Sequence, residues 1–125
     1  MHKVLKNAPQ QVANDLVGMT IQVGAKQGTI TKCLPRTESD NVNWIKTRPL
    51  FGSKPVDVYV APYRGSYLLF LRTGSPNTCV RIDSIQLSDG TECSGPGQVC
   101  KAFGMNSEMT GEVRVSDNVV QITLS

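Results

Sequence analysis

The residues best placed to do chemistry are four cysteines, Cys33, Cys79, Cys93 and Cys100. Cys79 follows a break at Thr73-Gly74-Ser75-Pro76 and precedes an apolar pair, Val80 and Ile82. A thiol there can serve as nucleophile, metal ligand or cross-link. A nucleophile needs a base. The only histidine is His2, close to the N-terminus of the sequence, where chain ends are seldom held in place. Zinc sites usually pair their ligands as C-x-x-C, and none occurs here: the closest pair, Cys93 and Cys100, is too widely spaced. An even count in an oxidising compartment suggests two disulfides, and four cysteines allow three connectivities. Spacing alone leaves all three open.

The other candidates point to less. Gly95-Pro96-Gly97 resembles a phosphate loop, but no strand precedes it and no helical pattern follows; Pro96 also removes an amide donor. It reads as a turn between two cysteines. Carboxylates such as Glu38, Asp40, Asp57, Asp83, Asp89, Glu92, Glu108, Glu112 and Asp117 are scattered through predicted loops, and none is singled out as an acid–base pair. Trp44, Tyr59 and Tyr63 offer a possible sugar- or peptide-binding surface, although Trp44 suits a core position equally well. No N-x-S/T glycosylation site occurs. The expectation is a protein with no catalytic residue, no metal and no cofactor.

The elements that must position these residues follow from patterning. The 125 residues fit one domain. Charged residues make up 18%, and the net charge of +3 comes from bases scattered singly along the chain, which reads as a solvated surface and argues against a nucleic-acid groove. This weakly charged, Ser/Thr/Asn/Gln-rich composition leans towards an extracellular protein. No stretch is apolar enough to span a membrane. Met1-His2-Lys3 opens no signal peptide, so an exported protein would have lost its targeting segment.

Val12, Leu16, Met19 and Val23 recur at helical intervals, with Pro9 suited to a first turn, so residues 8–27 are expected to hold a helix and its exit. Residues 28–54 read as a long loop anchored by Trp44 and Ile45. Residues 55–125 read as a sheet with a cysteine-containing loop. Within it, Val56, Val58 and Val60 alternate, Tyr67–Arg72 is apolar on both faces, and Glu112–Ser116 alternates. Asp117-Asn118 makes a turn before Val119–Leu124, predicting a second hairpin. The expected class is α+β: an N-terminal amphipathic helix packed on an antiparallel sheet and stapled by disulfides.

The stretch "PLFGSKPVDVYVAPYRGSYLLFLRTGSPNTCVRI", residues 49–82, resembles the middle of bacterial type IV pilins, the type IVb branch in particular. The matching parts are Phe51-Gly52, the valines up to Val60, the apolar strand Tyr67–Leu71, Pro76, and Cys79 with Val80 and Ile82; Cys100 and Val119–Leu124 fit the family's second cysteine and terminal strand. The chain lacks the apolar first half of the pilin helix and carries four cysteines where many members have two. The resemblance implies a Cys79–Cys100 staple, worth on the order of 3 kcal/mol in the chain-entropy model. Cys33 and Cys93 would then be the second pair. The rival pairing is Cys93 with Cys100 and Cys33 with Cys79.

On this reading the protein is the soluble headgroup of a pilus subunit at the bacterial cell surface, serving filament assembly and possibly adhesion or conjugation. Its partners would be other pilin subunits and a host or recipient cell surface, with membrane contact only through the missing helix half. The alternatives are a secreted, disulfide-stapled binding module (an adhesin, inhibitor or effector) and a small secreted hydrolase.

Overall fold

The computed structural model describes residues 4–36, 57–74 and 78–125. A single 3-10 turn, Val4–Lys6, and a two-turn helix, α1 (Pro9–Leu16), precede strands β1 (Thr20–Val23) and β2 (Lys26–Pro35). Then come β3 (Val58–Tyr63), β4 (Ser66–Arg72), β5 (Cys79–Leu87), a short β6 (Glu92–Ser94), helix α2 (Pro96–Ala102), β7 (Met109–Ser116) and β8 (Val119–Leu124). The strands run in the order β2-β1-β8-β7-β3-β4-β5, and β5 pairs back onto β2. Seven strands thus close a barrel, with β6 attached to the far end of β5. All pairings are antiparallel except β1 with β8, which is parallel from Thr20↔Val119 to Val23↔Ile122.

This architecture corrects the expected α+β class and the pilin resemblance. A pilin headgroup hangs its sheet on one long N-terminal helix, whereas α1 ends at Leu16. Gly18 turns the chain at φ 95°, and the β-branched Thr20, Ile21 and Val23 go into a strand paired on both edges. Val12 and Leu16 of the predicted stripe are buried on α1; Met19 and Val23 pack as partly buried residues beyond the helix. The predicted loop from residue 28 is a strand as far as Pro35. Of the rest of that loop, residues 37–54, with Trp44 and Ile45, lie outside the described residues.

The hairpin predictions fare better. Asp117 and Asn118 both take positive φ, 49° and 64°, and join β7 to β8. Arg64 and Gly65, at 47° and 77°, do the same for β3 and β4. Two consecutive left-handed residues match the right-handed twist of the flanking strands. The Tyr67–Arg72 stretch is central, as its two apolar faces imply: β4 pairs with β3 on one edge and β5 on the other. Leu69 and Leu71, with Val58, Val60, Val80 and Ile82, belong to a large apolar cluster that also takes in Leu5, α1 and α2. On the opposite face, Leu68 and Phe70 join Tyr59, Ala61 and Cys79 in a second, smaller cluster.

The β2–β5 ladder closes the barrel, running from Gly28↔Leu87 to Pro35↔Val80. Its register slips between Ile30 and Cys33. Beside that irregularity the buried Asp83 carboxylate takes Arg81 at 3.2 Å and Lys32 at 3.7 Å. Removing one partner of a buried charge pair leaves the other uncompensated, so this small network fixes the seam locally. At the other end of the ladder, a Cβ on Gly28 would lie 2.8 Å from the Gln86 carbonyl oxygen. Gly28→Ala is therefore expected to destabilise the protein by about 1–3 kcal/mol, through forced separation of two paired backbones. Urea unfolding checks this, and an unchanged midpoint would show that the seam tolerates a methyl group.

Candidate ligand recess

The four cysteines are buried, and none is disulfide-bonded. The expected disulfides are corrected for a topological reason. Cys79 belongs to the smaller cluster on one face of the β3–β4–β5 layer, whereas Cys100, on α2, belongs to the large cluster on the other. The sheet stands between them. Cys33 pairs in register with Ile82 across one edge of β5, and Cys93 with Ile85 across the other, so a strand separates that pair too. Cys33, Cys93 and Cys100 instead fill the core as small apolar side chains. Burial pushes the Cys33 thiol up to about 12, helped by repulsion from Asp83, and burial alone pushes Cys100 up to about 12. Thiols held so far above their ordinary value supply almost no thiolate near neutral pH, which makes them poor nucleophiles and poor metal ligands.

The aromatic surface expected from Trp44, Tyr59 and Tyr63 can be followed at its two tyrosines. Trp44 lies outside the described residues. Tyr59 is buried, 6% exposed, and its hydroxyl donates to a Glu108 carboxylate oxygen at 2.8 Å. That leaves Tyr63 at the end of β3, half-buried, with the Arg64 guanidinium 5.1 Å from its ring centre. This is a cation–π contact at the tip of the hairpin.

Beside that tip lies a recess of about 290 Å³. Gly65, Ser66 and Tyr67 form one wall; Gly97, Gln98, Cys100 and Lys101 of α2, with Met105 and Asn106 after it, form the other. The local sequence explains both walls. The Arg64-Gly65 turn sends Ser66 and Tyr67 back along β4. Pro96 starts α2 at a position where its missing N–H costs nothing, and Val99, Cys100 and Phe103 bury the helix's inner side. Gln98 and Lys101 are left exposed. Close approach of the two walls needs Gly97: a Cβ there would lie 2.5 Å from the Ser66 hydroxyl. The stretch read as a turn between cysteines is thus a helix start, correcting the view that no helical pattern follows it. The missed signal was a proline followed by apolar residues at 99, 100 and 103.

The donors around this recess are a hydroxyl (Ser66), two carboxamides (Gln98, Asn106) and an ammonium (Lys101), over the apolar flanks of Tyr67 and Met105. Among the described residues, no carboxylate lines it. A second recess, lined by Asp57, Glu112, Val113, Arg114, Gln121 and Thr123, carries both signs of charge. A third, along Val23, Gly24 and residues 121–124, carries no charged side chain. Several of the carboxylates considered from sequence take structural partners: Asp57 holds Arg72 at 3.4 Å, Asp83 holds Arg81 and Lys32, and Asp89 accepts from the Thr91 amide at 2.9 Å. Hydrogen bonds from Thr91, the hydroxyl foremost, hold the Asp89 carboxyl below its ordinary value. Glu38 and Asp40 fall outside the described residues. Among the described residues, no three His, Cys, Asp or Glu side chains are grouped to hold a metal.

No known protein family's sequence profile matches the chain. Nor does any curated protein match it significantly. The recess must be interpreted from its own chemistry.

Two measurements check this description of the thiols. Cysteine-directed alkylation at pH 7.5 should modify none of the four in the folded protein and all four in denaturant; a readily labelled Cys33 or Cys100 would contradict their burial. The pH dependence has a definite sign. With folded-state values of about 12 against an ordinary 9.0, the unfolded chain sheds these protons first as pH rises. The protection is complete below about 9 and is lost between about 9 and 12. Thermal melts across that range should show a falling midpoint, with a shallower fall in Cys33→Ala.

Proposed function

We propose that the chain is a non-catalytic binding module, which receives its ligand in the recess between the β3–β4 hairpin and α2. The observation that carries this reading is the recess itself: convergent hydroxyl, carboxamide and ammonium donors over an apolar floor, on a closed and therefore rigid scaffold. Binding sites of this kind combine an apolar lining with a few placed polar groups. The hairpin tip extends the surface with Tyr63 and Arg64, a half-buried ring and an exposed cation.

A binding role suits the rest of the molecule. The described carboxylates of Asp57, Asp83 and Glu108 are engaged in ion pairs or hydrogen bonds that hold the barrel together. The four thiols are buried, and burial holds Cys33 and Cys100 protonated near neutral pH. Among the described residues, the recess walls carry no histidine or carboxylate to serve as a general base. The extracellular location and the pilus partners are not carried into this reading, because they drew on the resemblance and the cysteine pairs that the fold corrects.

The test is a titration of isotope-labelled protein with a panel of small sugars, dicarboxylates and phosphates, followed by backbone amide shifts. At least one class should move the amides of residues 65–67 and 97–106 saturably. Asn106→Trp, at an exposed position, should fill the recess and abolish the response without lowering the melting temperature. Saturable shifts that persist in Asn106→Trp, or that map to another part of the barrel, would overturn the proposal.

A further inference from the structure

Charge separates this recess from its surroundings. Of the bases elsewhere on the barrel, Arg72 is matched with Asp57, and Arg81 and Lys32 with Asp83. Three cations near the recess are not. Lys101 lines it directly, and Arg64 sits next to its Gly65 wall. The Lys26 ammonium lies beside Gly104, 3.6 Å from where a Cβ would stand and one residue from the lining Met105. Among the described residues, none of the three has a carboxylate within ion-pairing distance. The nearest acid in sequence to the lining, Glu108, is engaged by the Tyr59 hydroxyl.

We infer that the recess takes an anionic group: a phosphate or carboxylate head, met by the Lys101 ammonium and by hydrogen bonds from Ser66, Gln98 and Asn106. This rests on the recess being the ligand site and adds the charge of what enters it. The donor set suits an oxyanion. Lysine acts as a point charge, with the Gln98 and Asn106 carboxamides on its own wall and the Ser66 hydroxyl on the opposite one to meet the remaining oxygens. Arg64 and Lys26 flank the site and raise the local concentration of anions, an effect that salt screens over about 8 Å at physiological ionic strength. A neutral ligand would leave the lining Lys101 ammonium without a counterion. The mixed-charge recess at Asp57, Glu112 and Arg114 has no such bias and provides an internal control.

The probes are inorganic phosphate and sodium citrate, each titrated into the labelled full chain at pH 7.0, with sodium chloride as the ionic-strength match. Saturable shifts confined to residues 65–67 and 97–106 are expected from at least one of the two anions, and none from chloride. Phosphate alone would mark a phosphate head and citrate alone a carboxylate head; either result supports the inference. Lys101→Gln and Arg64→Gln should each raise Kd about two- to fivefold, as expected for a solvent-exposed charge contact. Arg114→Gln should leave it unchanged. Identical titrations for the wild type and Lys101→Gln, or non-saturating shifts shared with chloride, would overturn the inference. If an uncharged sugar saturates the same amides while both anions do not, the anion inference fails and the recess stands. If nothing saturates there, both fail.

Discussion

The closing ladder between β2 and β5 is the constraint on which the rest depends. A sheet of this composition left open would present two edges; pairing β5 back onto β2 removes them and gives the barrel an inside. The seam is also where the packing is least forgiving. Gly28 admits no side chain against the Gln86 carbonyl, and the register slips by the time the ladder reaches Cys33. Asp83 stands at that slip, buried and held between Arg81 and Lys32. A carboxylate in such a place is costly to bury alone, and two cations make it tolerable. That same negative charge helps keep the Cys33 thiol protonated. Closure, charge and cysteine chemistry are therefore coupled within a few residues.

From the seam outward, β5 carries the layer that positions the recess. It pairs with β4 over Cys79–Ile82 and with β6 over Ser84–Gln86. β4 leads back to the hairpin turn, and β6 leads into α2. Both walls of the recess thus hang from one strand, on consecutive stretches of the same edge. Their spacing is set by backbone pairing and by the large apolar cluster beneath, which includes Val99, Cys100, Phe103 and Met105. A site supported this way needs little rearrangement to receive a ligand, and preorganisation limits the entropy cost of binding.

How much of this was legible in the sequence depended on how local each feature is. The Asp117-Asn118 turn and the flanking alternation are decided within a dozen residues, and the β7–β8 hairpin forms where patterning puts it. The two-faced apolar character of Tyr67–Arg72 is equally local and correctly marks a central strand. The segment from Thr20 to Val23 was misread because its helical spacing continues that of Val12 and Leu16. Periodicity over so few residues cannot outweigh two flanking strands, one of them about a hundred residues away in sequence. The cysteines misled in a similar way. An even count suggests pairing, but whether two thiols meet depends on which face of a sheet each occupies. The recess was invisible for the same reason: its walls, Gly65–Tyr67 and Gly97–Asn106, are brought together by pairing through β5.

The parallel pairing of β1 with β8 sets an order on how the molecule can be made. Thr20 finds its partner in Val119, so β1 leaves the ribosome long before the strand it must lie against exists. Until β8 is synthesised, β1 has only β2 beside it, and its other edge is unpaired. The barrel cannot close until β8 has been synthesised. Contacts so distant in sequence slow folding, because the loop entropy must be overcome before the contact contributes. In the interval, the apolar face of β1 and its open edge are exposed to other nascent chains. The pairing that finally removes the edge is also the one for which the growing chain must wait longest.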